Sequence, residues 1–161
     1  MRLLLIRHAD AGDRDPELWP DDTQRPITEK GRRRHRRVAR RLKRRRLAPS
    51  LLVSSPWMRA WQSAQLTAEY AGGPTPVAVP ALAGPPDLEQ LGAAIGRPGP
   101  EAIVVMVGHE PWLSELASLL LTGESGRLAI DFPKSGVLSL TCETLAAGRA
   151  TLESLWRPKG S

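Results

Sequence analysis

The sequence predicts an α/β fold: a three-layer α/β/α sandwich with a mostly parallel central sheet and an antiparallel strand or hairpin at its C-terminal end. Short apolar runs, typical of buried strands, alternate with longer amphipathic segments through most of the chain. Two further strand-like runs then follow each other directly. The 161 residues are close to the common size of one domain, so we expect a single domain over residues 1–161.

The first half of the chain alternates strand and helix twice. Residues 2–6 form an apolar strand, and an irregular acidic segment follows it. Thr28 is a suitable N-cap for a long helix that reaches residue 46 and buries one apolar stripe. A second strand covers 51–54. Ser55-Pro56 then predicts an N-cap and first helical position for a helix that ends near residue 70.

The second half repeats this pattern and ends in two strands. Its clearest element is the strand 103–107, where five apolar residues follow one another, as in a strand buried on both faces. The other predicted elements are a short strand at 77–79, helices over 87–95 and 112–121, and strands over 137–141 and 151–156.

Charge is distributed unevenly along the chain. Twelve of the 23 Lys and Arg residues lie between Lys30 and Arg46, whereas Asp10–Asp22 holds six carboxylates and one arginine. A basic helix is typical of an acidic partner surface, a nucleic acid or a membrane surface. Because Arg outnumbers Lys 19 to 4, the same run also fits a general compositional bias.

Several classes of protein are excluded by composition. The single cysteine, Cys142, allows neither an intramolecular disulfide nor a cysteine metal cluster, which fits a reducing compartment. No apolar run approaches the roughly 20 residues of a membrane span, and the N-terminus lacks the features of a signal peptide. We therefore expect a cytoplasmic protein with no membrane association.

Histidines and arginines follow the best strand predictions, at the point where each strand ends. Arg7 and His8 follow the first strand, Ser55 and Arg59 follow the second, and His109 follows the clearest one. The carboxyl ends of parallel strands form the ligand-binding edge of an open α/β sheet. We therefore expect these side chains to meet there.

The residue types at this edge suit a phosphoryl group. Guanidinium groups match phosphate oxygens, and cations nearby lower the pKa of an imidazole, which keeps it neutral and nucleophilic. Arg7, Arg59 and the N-termini of the helices after Ser55 and His109 would hold the phosphoryl group. The arginines would thereby do the work of a metal, so we expect neither metal nor cofactor.

Simpler explanations compete with this interpretation. A histidine at a strand end is often only a hydrogen-bonded structural residue, and paired histidines can also bind zinc. Against zinc, the guanidinium groups would repel a cation and no third ligand has suitable spacing. His35 lies on the apolar stripe of its helix, and Cys142 alternates into a strand, so we expect both to be structural. Trp19 and Trp57 are candidates for flanking the site.

At these residues the sequence resembles the histidine phosphatase superfamily, branch 1, and within it the SixA-type phosphohistidine phosphatases. The resemblance implies a phosphoglycerate-mutase-like fold. The matching blocks are Arg7-His8-Ala9 (Arg-His-Gly in the family), Arg25–Gly31 (R-P-L-T-x-x-G), Ser54–Ala64 (S-S-P-x-x-R-A-x-Q-T-A), Gly108–Pro111 (the second histidine motif), and the SixA-like endings Phe132–Gly136 and Leu155–Lys159.

The resemblance also implies roles. His8 would form a phosphohistidine intermediate, while Arg7, Arg59 and His109 would clamp the phosphoryl oxygens. Arg25 matches an arginine near the phosphate. Ser55 and Glu110 are further candidates for binding phosphate or substrate.

Two residues depart from the family pattern. Ala9 replaces the signature glycine, which requires ordinary backbone dihedrals. Ser63 replaces threonine, and we expect that change to be neutral.

One missing residue bears on the substrate. Relatives that act on sugar phosphates carry an acid after the third strand, to protonate an alkoxide leaving group. Residues 80–86 contain no acid, and Asp87 is better explained as an N-cap. An imidazole leaves more easily than an alkoxide, so a phosphohistidine substrate is favoured. Asp10, Asp13 and Glu110 remain candidate proton donors.

Three functional hypotheses follow. The first is a phosphatase that removes phosphate from phosphohistidine in a signalling or phosphocarrier protein, whose acidic surface the basic helix would attract. The second is a phosphomonoesterase acting on a small phosphate ester or a nucleotide. The third is a non-catalytic phosphate- or nucleic-acid-binding module that uses helix 30–46. Nucleic acid is disfavoured because no aromatic residue interrupts the basic run.

Overall fold

A computed structural model describes residues 1–158 of the chain. Lys159, the last residue of the SixA-like ending, lies outside the described residues. Six strands and four α-helices alternate as expected from the sequence. They are β1 (Arg2–Arg7), α1 (Glu29–Arg44), β2 (Leu51–Ser54), α2 (Met58–Thr67), β3 (Val77–Ala78), α3 (Leu88–Ile95), β4 (Ile103–Gly108), α4 (Trp112–Thr122), β5 (Val137–Cys142) and β6 (Ala150–Trp156).

The strands form one mixed sheet in the order β3-β2-β4-β1-β5-β6. The first four strands in sequence are parallel to one another where they pair, whereas β5 runs antiparallel to β1 and β6 antiparallel to β5. This confirms the predicted fold class, including the C-terminal antiparallel hairpin. Val107 of β4 pairs with both Ile6 of β1 and Ser54 of β2, so these three strands end level at one edge.

Both faces of the sheet are buried. On one face, Leu3 and Met106 belong to a core cluster that includes Leu113 of α4 and Leu91 of α3. On the other face, residues one position along each strand, such as Leu4, pack in a second cluster with α1 and α2. The strands are apolar on both faces because helices cover both, which explains their continuous apolar runs.

The start of α1 is fixed against the segment that follows β1. Thr28 is the N-cap as predicted, since its hydroxyl accepts a hydrogen bond from the backbone N–H of Gly31 at 2.9 Å. A Cβ on Gly31 would lie 2.2 Å from the carbonyl oxygen of Asp10, so only glycine allows this close approach. The helix ends at Arg44, two residues before the predicted end.

The predicted start of α2 was wrong. The helix begins at Met58 rather than at Pro56, with Trp57 as its N-cap. The backbone N–H of Ser55 donates to the carbonyl of Val107 at 2.9 Å, which ties Ser55 to β4 just beyond the end of β2. Its hydroxyl caps no first turn but accepts from the N–H of Trp57 at 3.2 Å. The chain therefore needs two more residues before it can turn into the helix.

Local signals elsewhere were reliable. Asp87 caps α3 through a hydrogen bond from the N–H of Gln90, and Cys142 is buried in β5. Within residues 1–158, none of the helices combines the length and the apolarity needed to cross a bilayer.

Candidate active site

The level ends of β1, β2 and β4 bring the side chains named in the sequence analysis to one place. The backbone N–H of His8 donates to the carbonyl of Gly108 at 3.0 Å, which continues the β1–β4 ladder one residue beyond the end of β1. The ring centroids of His8 and His109 lie 5.1 Å apart as a result. Arg59 stands in the first turn of α2, with its side chain only 7% exposed.

His8 presents one free ring nitrogen. Its Nδ1 lies 2.6 Å from the carbonyl oxygen of Ala9. A carbonyl can only accept, so Nδ1 carries the proton and Nε2 keeps its lone pair. The pKa of His8 is lowered to about 3, chiefly by burial and further by Arg59, Arg7 and Lys134. The ring is therefore neutral at pH 7, with a lone pair on Nε2. Burial, rather than the cations considered from the sequence, is the main cause.

His109 is buried, with 3% exposure. Its Nε2 lies 2.8 Å from the hydroxyl oxygen of Ser55. Trp57 covers its ring at 4.6 Å between centroids, and Trp112 meets it edge-on at 6.1 Å. The pKa of His109 is lowered to about 2, mainly by burial and then by His8 and Arg59. It is thus a neutral hydrogen-bonding group.

Each arginine is anchored by one end of its guanidinium. Arg59 donates from Nη1 to the carbonyl of Asp22 at 2.8 Å and pairs with the Asp22 carboxylate at 3.2 Å. Its guanidinium carbon lies 4.8 Å from the ring centroid of Trp57. Arg7 donates from Nη1 to the carbonyl of Phe132 at 2.8 Å. These contacts fix both guanidinium groups before any ligand arrives.

Buried nitrogens without a hydrogen-bond partner concentrate at this site. Across residues 1–158, five buried side-chain nitrogens have no hydrogen-bond partner, and three of them are Arg7 Nε, Arg59 Nε and His109 Nδ1. A buried donor without a partner costs about 1–3 kcal/mol, so such groups are rare unless something pairs with them. Two of the three belong to cations. The arrangement is therefore suited to a ligand with several negatively charged oxygens.

Ser63 joins the two halves of the site. Its hydroxyl accepts from the N–H of Ala9 at 2.9 Å and donates to the carbonyl of Arg59 at 2.6 Å. Ala9 is not among the residues with positive φ, so its methyl group is tolerated, and it packs in a small apolar cluster with Ile27 and Leu66. Ala9 therefore does not need the left-handed backbone conformation that would require the family's glycine.

Arg25 is turned toward the acidic segment. It pairs with the Asp22 carboxylate at 2.8 Å and donates to the carbonyls of Ala11 and Gly12 at 2.9 and 2.8 Å. These contacts hold both ends of the segment 10–22 against the Arg25 side chain, so the segment turns back on itself.

The carboxyl groups differ in their suitability as proton donors. Asp10 pairs with Lys134, and hydrogen bonding to that lysine holds the pKa of Asp10 below its usual range. Burial raises the pKa of Glu110, which accepts hydrogen bonds from the N–H and hydroxyl of Ser114. Of these two, Glu110 is the better proton carrier.

Sequence reasoning missed three residues of the site. Asp22 links Arg25 to Arg59, although its segment was noted only for its charge. Lys134 influences both Asp10 and His8, and the block 132–136 was the available signal for it. Trp112 follows the second histidine motif directly and covers His109. Of the two candidate tryptophans, Trp57 contacts His109.

A metal site is not indicated by the donor set. Within the part of the chain that the structure describes, no three His, Cys, Asp or Glu side chains are grouped so as to hold a metal ion.

The fold and this edge define a class: an α/β phosphoryl-transfer enzyme whose nucleophile is a histidine. Comparison with known proteins gives the family. The chain belongs to the histidine phosphatase superfamily (branch 1), whose family model matches residues 3–83. An uncharacterized protein of Picosynechococcus is 34% identical over 142 residues, which cover 87% of this chain and 84% of the relative.

Comparison with solved structures indicates the type of phosphatase within this family. The protein histidine phosphatase SixA complexed with tungstate is 25% identical, with a TM-score of 0.81 over 98% of this chain and 97% of that one. A protein of Agrobacterium tumefaciens assigned as a SixA phosphohistidine phosphatase is also 25% identical, with a TM-score of 0.76 over the same shares. A mycobacterial glucosyl-3-phosphoglycerate phosphatase, 19% identical with a TM-score of 0.69 over 98% of this chain and 99% of that one, shares the fold. The chain is a SixA-type phosphatase by family and structure.

Proposed function

We propose that this phosphatase removes the phosphoryl group from phosphohistidine in a signalling or phosphocarrier protein, as a single cytoplasmic domain that needs no metal. His8 is the proposed nucleophile, and Arg7, Arg59 and His109 the proposed phosphoryl clamp. The unpartnered buried nitrogens of the clamp support this assignment. So does tungstate, a tetrahedral oxyanion like phosphate, in the similar SixA structure.

The proposed first step transfers the phosphoryl group to His8. Nε2 of His8 attacks phosphorus as the phosphorus–nitrogen bond of the substrate breaks, while Nδ1–H stays bonded to the Ala9 carbonyl. Fixed guanidinium groups stabilise charge on the transferring oxygens without reorganising. Water then attacks the phosphorus of phospho-His8, which releases phosphate and restores the neutral ring.

The segment after β3 supports a phosphohistidine substrate rather than a phosphate ester. Residues Pro80–Ala83 form a short 3₁₀ turn, and the carbonyl of Leu82 lies beside Gly108, next to the site. No acid stands there. Asp87, the first carboxylate that follows, is engaged at α3, where it accepts from both the N–H and the side-chain amide of Gln90. An alkoxide leaving group needs an acid worth about 10²–10⁴-fold in rate, whereas an imidazole protonated on its other nitrogen leaves as a neutral ring.

A second candidate, hydrolysis of a small phosphate ester, is favoured by Glu110. Burial raises the pKa of this carboxyl, and it interacts electrostatically with Arg7. A protonated Glu110 would be able to supply the proton that an ester requires. The third hypothesis of the sequence analysis, a non-catalytic binding module, is set aside because the family is one of phosphatases.

One variant separates the two substrates. Glu110→Gln keeps the size of the side chain and an oxygen for Ser114, but removes the titrating proton. We expect kcat/KM on a histidine-phosphorylated carrier protein, measured with chelator present, to change less than about threefold. Hydrolysis of an aryl phosphate should be the slower reaction in the wild type.

The contrary result is equally clear. A wild-type enzyme that prefers a sugar phosphate, and loses about 10²-fold or more of that activity in Glu110→Gln, would assign the protein to small esters. Loss of activity when a chelator is added would show that the enzyme needs a metal.

A further inference from the structure

A second arginine-rich region lies outside the active site. A cavity of about 570 Å³ opens between α1 and the segment 156–158. Seven of its twelve lining residues are arginines, six from α1 and its C-cap together with Arg157, and no carboxylate lines it among the described residues. We call this cavity the arginine groove. It contains half of the twelve basic residues between Lys30 and Arg46, a run that the proposed catalytic chemistry does not use.

The charges of the arginine groove are poorly compensated. On α1 the one acidic residue is Glu29, which lies 3.4 Å from Arg32, outside the groove. Arg157 pairs with Asp131 at 2.9 Å, but both side chains are well exposed, so the pairing is weak. Arg34 has a buried Nε without a partner. Guanidinium groups packed this closely repel one another, and an anionic ligand would relieve that repulsion.

Trp156 shows which kind of anion fits. Two groove arginines, Arg41 and Arg45, already lie over its ring, with guanidinium carbons at 4.7 and 4.8 Å from the centroid. The ring is therefore not available as a platform for a nucleic-acid base, which is the usual role of an aromatic residue in such a groove. Carboxylates bind the edges of guanidinium groups, and five of the seven groove arginines are exposed.

The arginine groove adjoins the active site. Ser135 lines it, and the backbone N–H of Ser135 lies 3.1 Å from the carbonyls of both Arg7 and His8. Val137, also in its wall, pairs with Ile6, two residues before His8. Lys134 stands next to Ser135 and contacts Asp10 beyond the catalytic histidine. Basic side chains thus continue from the groove to the phosphoryl site.

We propose that the arginine groove docks an acidic segment of the phosphorylated protein substrate while the phosphohistidine occupies the active site. This rests on the proposed function. Its physical basis is charge complementarity at a distance from the reacting atoms, which raises association rates about 10–10³-fold and weakens with salt.

Two double variants with equal charge change test it. Arg37→Glu with Arg44→Glu alters exposed residues that line the groove. Arg33→Glu with Lys43→Glu alters exposed residues of the same helix that do not line it. Each pair takes one position in the last turn of α1 and one position away from both helix ends, so the effects on the helix dipole are similar. Hydrolysis of an aryl phosphate, which has no acidic segment, serves as the folding and chemistry control.

At about 50 mM salt, we expect the groove variant to lose about tenfold or more of kcat/KM on an acidic histidine-phosphorylated carrier protein, mostly through KM. The loss should shrink at about 1 M salt, where the Debye length is about 3 Å. The control variant should lose much less, and aryl phosphatase activity should be unchanged in both. Equal losses in the two variants, or none, would overturn the docking surface.

Binding of the unphosphorylated carrier separates this proposal from the proposed function. If the wild type binds the carrier through the groove but does not hydrolyse its phosphohistidine, the docking surface stands and the substrate assignment fails. If hydrolysis is fast but binding is unaffected in the groove variant, docking fails alone. Binding of duplex DNA that is tighter than binding of the carrier at the same salt, and lost in the groove variant, would replace the protein partner by nucleic acid.

Discussion

The three buried histidines of this domain form two kinds of environment. His35 is fully buried, and both its ring nitrogens are satisfied, Nδ1 by the hydroxyl of Ser135 at 2.9 Å and Nε2 by that of Thr67 at 3.0 Å. His8 leaves Nε2 free, and His109 leaves Nδ1 unpartnered. Burial is the largest cause of the lowered pKa in all three.

A lowered pKa therefore does not distinguish the site from the core. What differs is the unused hydrogen-bonding capacity and the neighbouring charge. Hydroxyl groups bond both ring nitrogens of His35, whereas Arg7 and Arg59 lie near His8 and His109. His35 also holds Ser135, whose N–H reaches the carbonyls of Arg7 and His8, so it supports the site from behind.

The largest expected effect is a loss of activity, and we expect it for His8 and not for His35. His8→Ala removes the free Nε2, and we expect kcat/KM to fall about 10⁴-fold or more, as for other catalytic nucleophiles. The measurement is hydrolysis of a phosphohistidine protein, together with trapping of an acid-labile phosphoenzyme, which should be lost. Trapped phosphate that persists in His8→Ala would place the nucleophile elsewhere.

The matched change in the core should affect stability instead. His35→Leu leaves the buried hydroxyl of Ser135 without a partner, whereas the hydroxyl of Thr67 keeps its bond to the carbonyl of Ser63. We expect the free energy of unfolding to fall by about 1–3 kcal/mol. We expect kcat/KM of the folded variant to fall less than about tenfold, because the ring does not reach the substrate. Urea unfolding measures the first effect, and assays below the transition measure the second. A stable variant with no activity would remove the distinction between the two environments.

The third expected effect is a pH dependence of stability that both environments share. An unfolded histidine titrates near pH 6.5, whereas folded His35 stays neutral until about pH 4. Between these values the unfolded state binds more protons, so stability present above pH 6.5 is lost as the pH falls, by at most about 1.4 kcal/mol per pH unit for each histidine.

His35→Gln removes one of the three titrating rings and should make this loss shallower. Urea unfolding between pH 7 and pH 4 measures the slope. A slope unchanged from that of the wild type would show that His35 is not protonated on unfolding in this range.

Much of the fold was predictable because its signals are local. Thr28 and Asp87 cap the helices that follow them, and apolar runs buried on both faces identify β1 and β4. The start of α2 was mispredicted because a long-range hydrogen bond from Ser55 to Val107 overrides the local preference for a cap. A local rule cannot include a partner that is distant in the chain.

The site was only partly predictable. Strand ends and ordered motifs bring Arg7, His8, Arg59 and His109 together, since parallel strands end at one edge. The position of Asp22 beneath Arg59 depends on how an irregular segment folds back, and the sequence showed nothing but its charge. Lys134 reaches the site from a loop more than a hundred residues after His8.

The sequence by itself determined the order of strands and helices, the apolar layers and the chemical types at the sheet edge, because these depend on periodicity and on residues near each other in the chain. Only the tertiary structure decided which buried nitrogens are satisfied and which are free. It also decided that a basic helix and the segment after β6 enclose a groove next to the catalytic edge. Satisfaction of a polar group and the shape of a cavity both depend on atoms from distant parts of the chain, and packing alone fixes their positions.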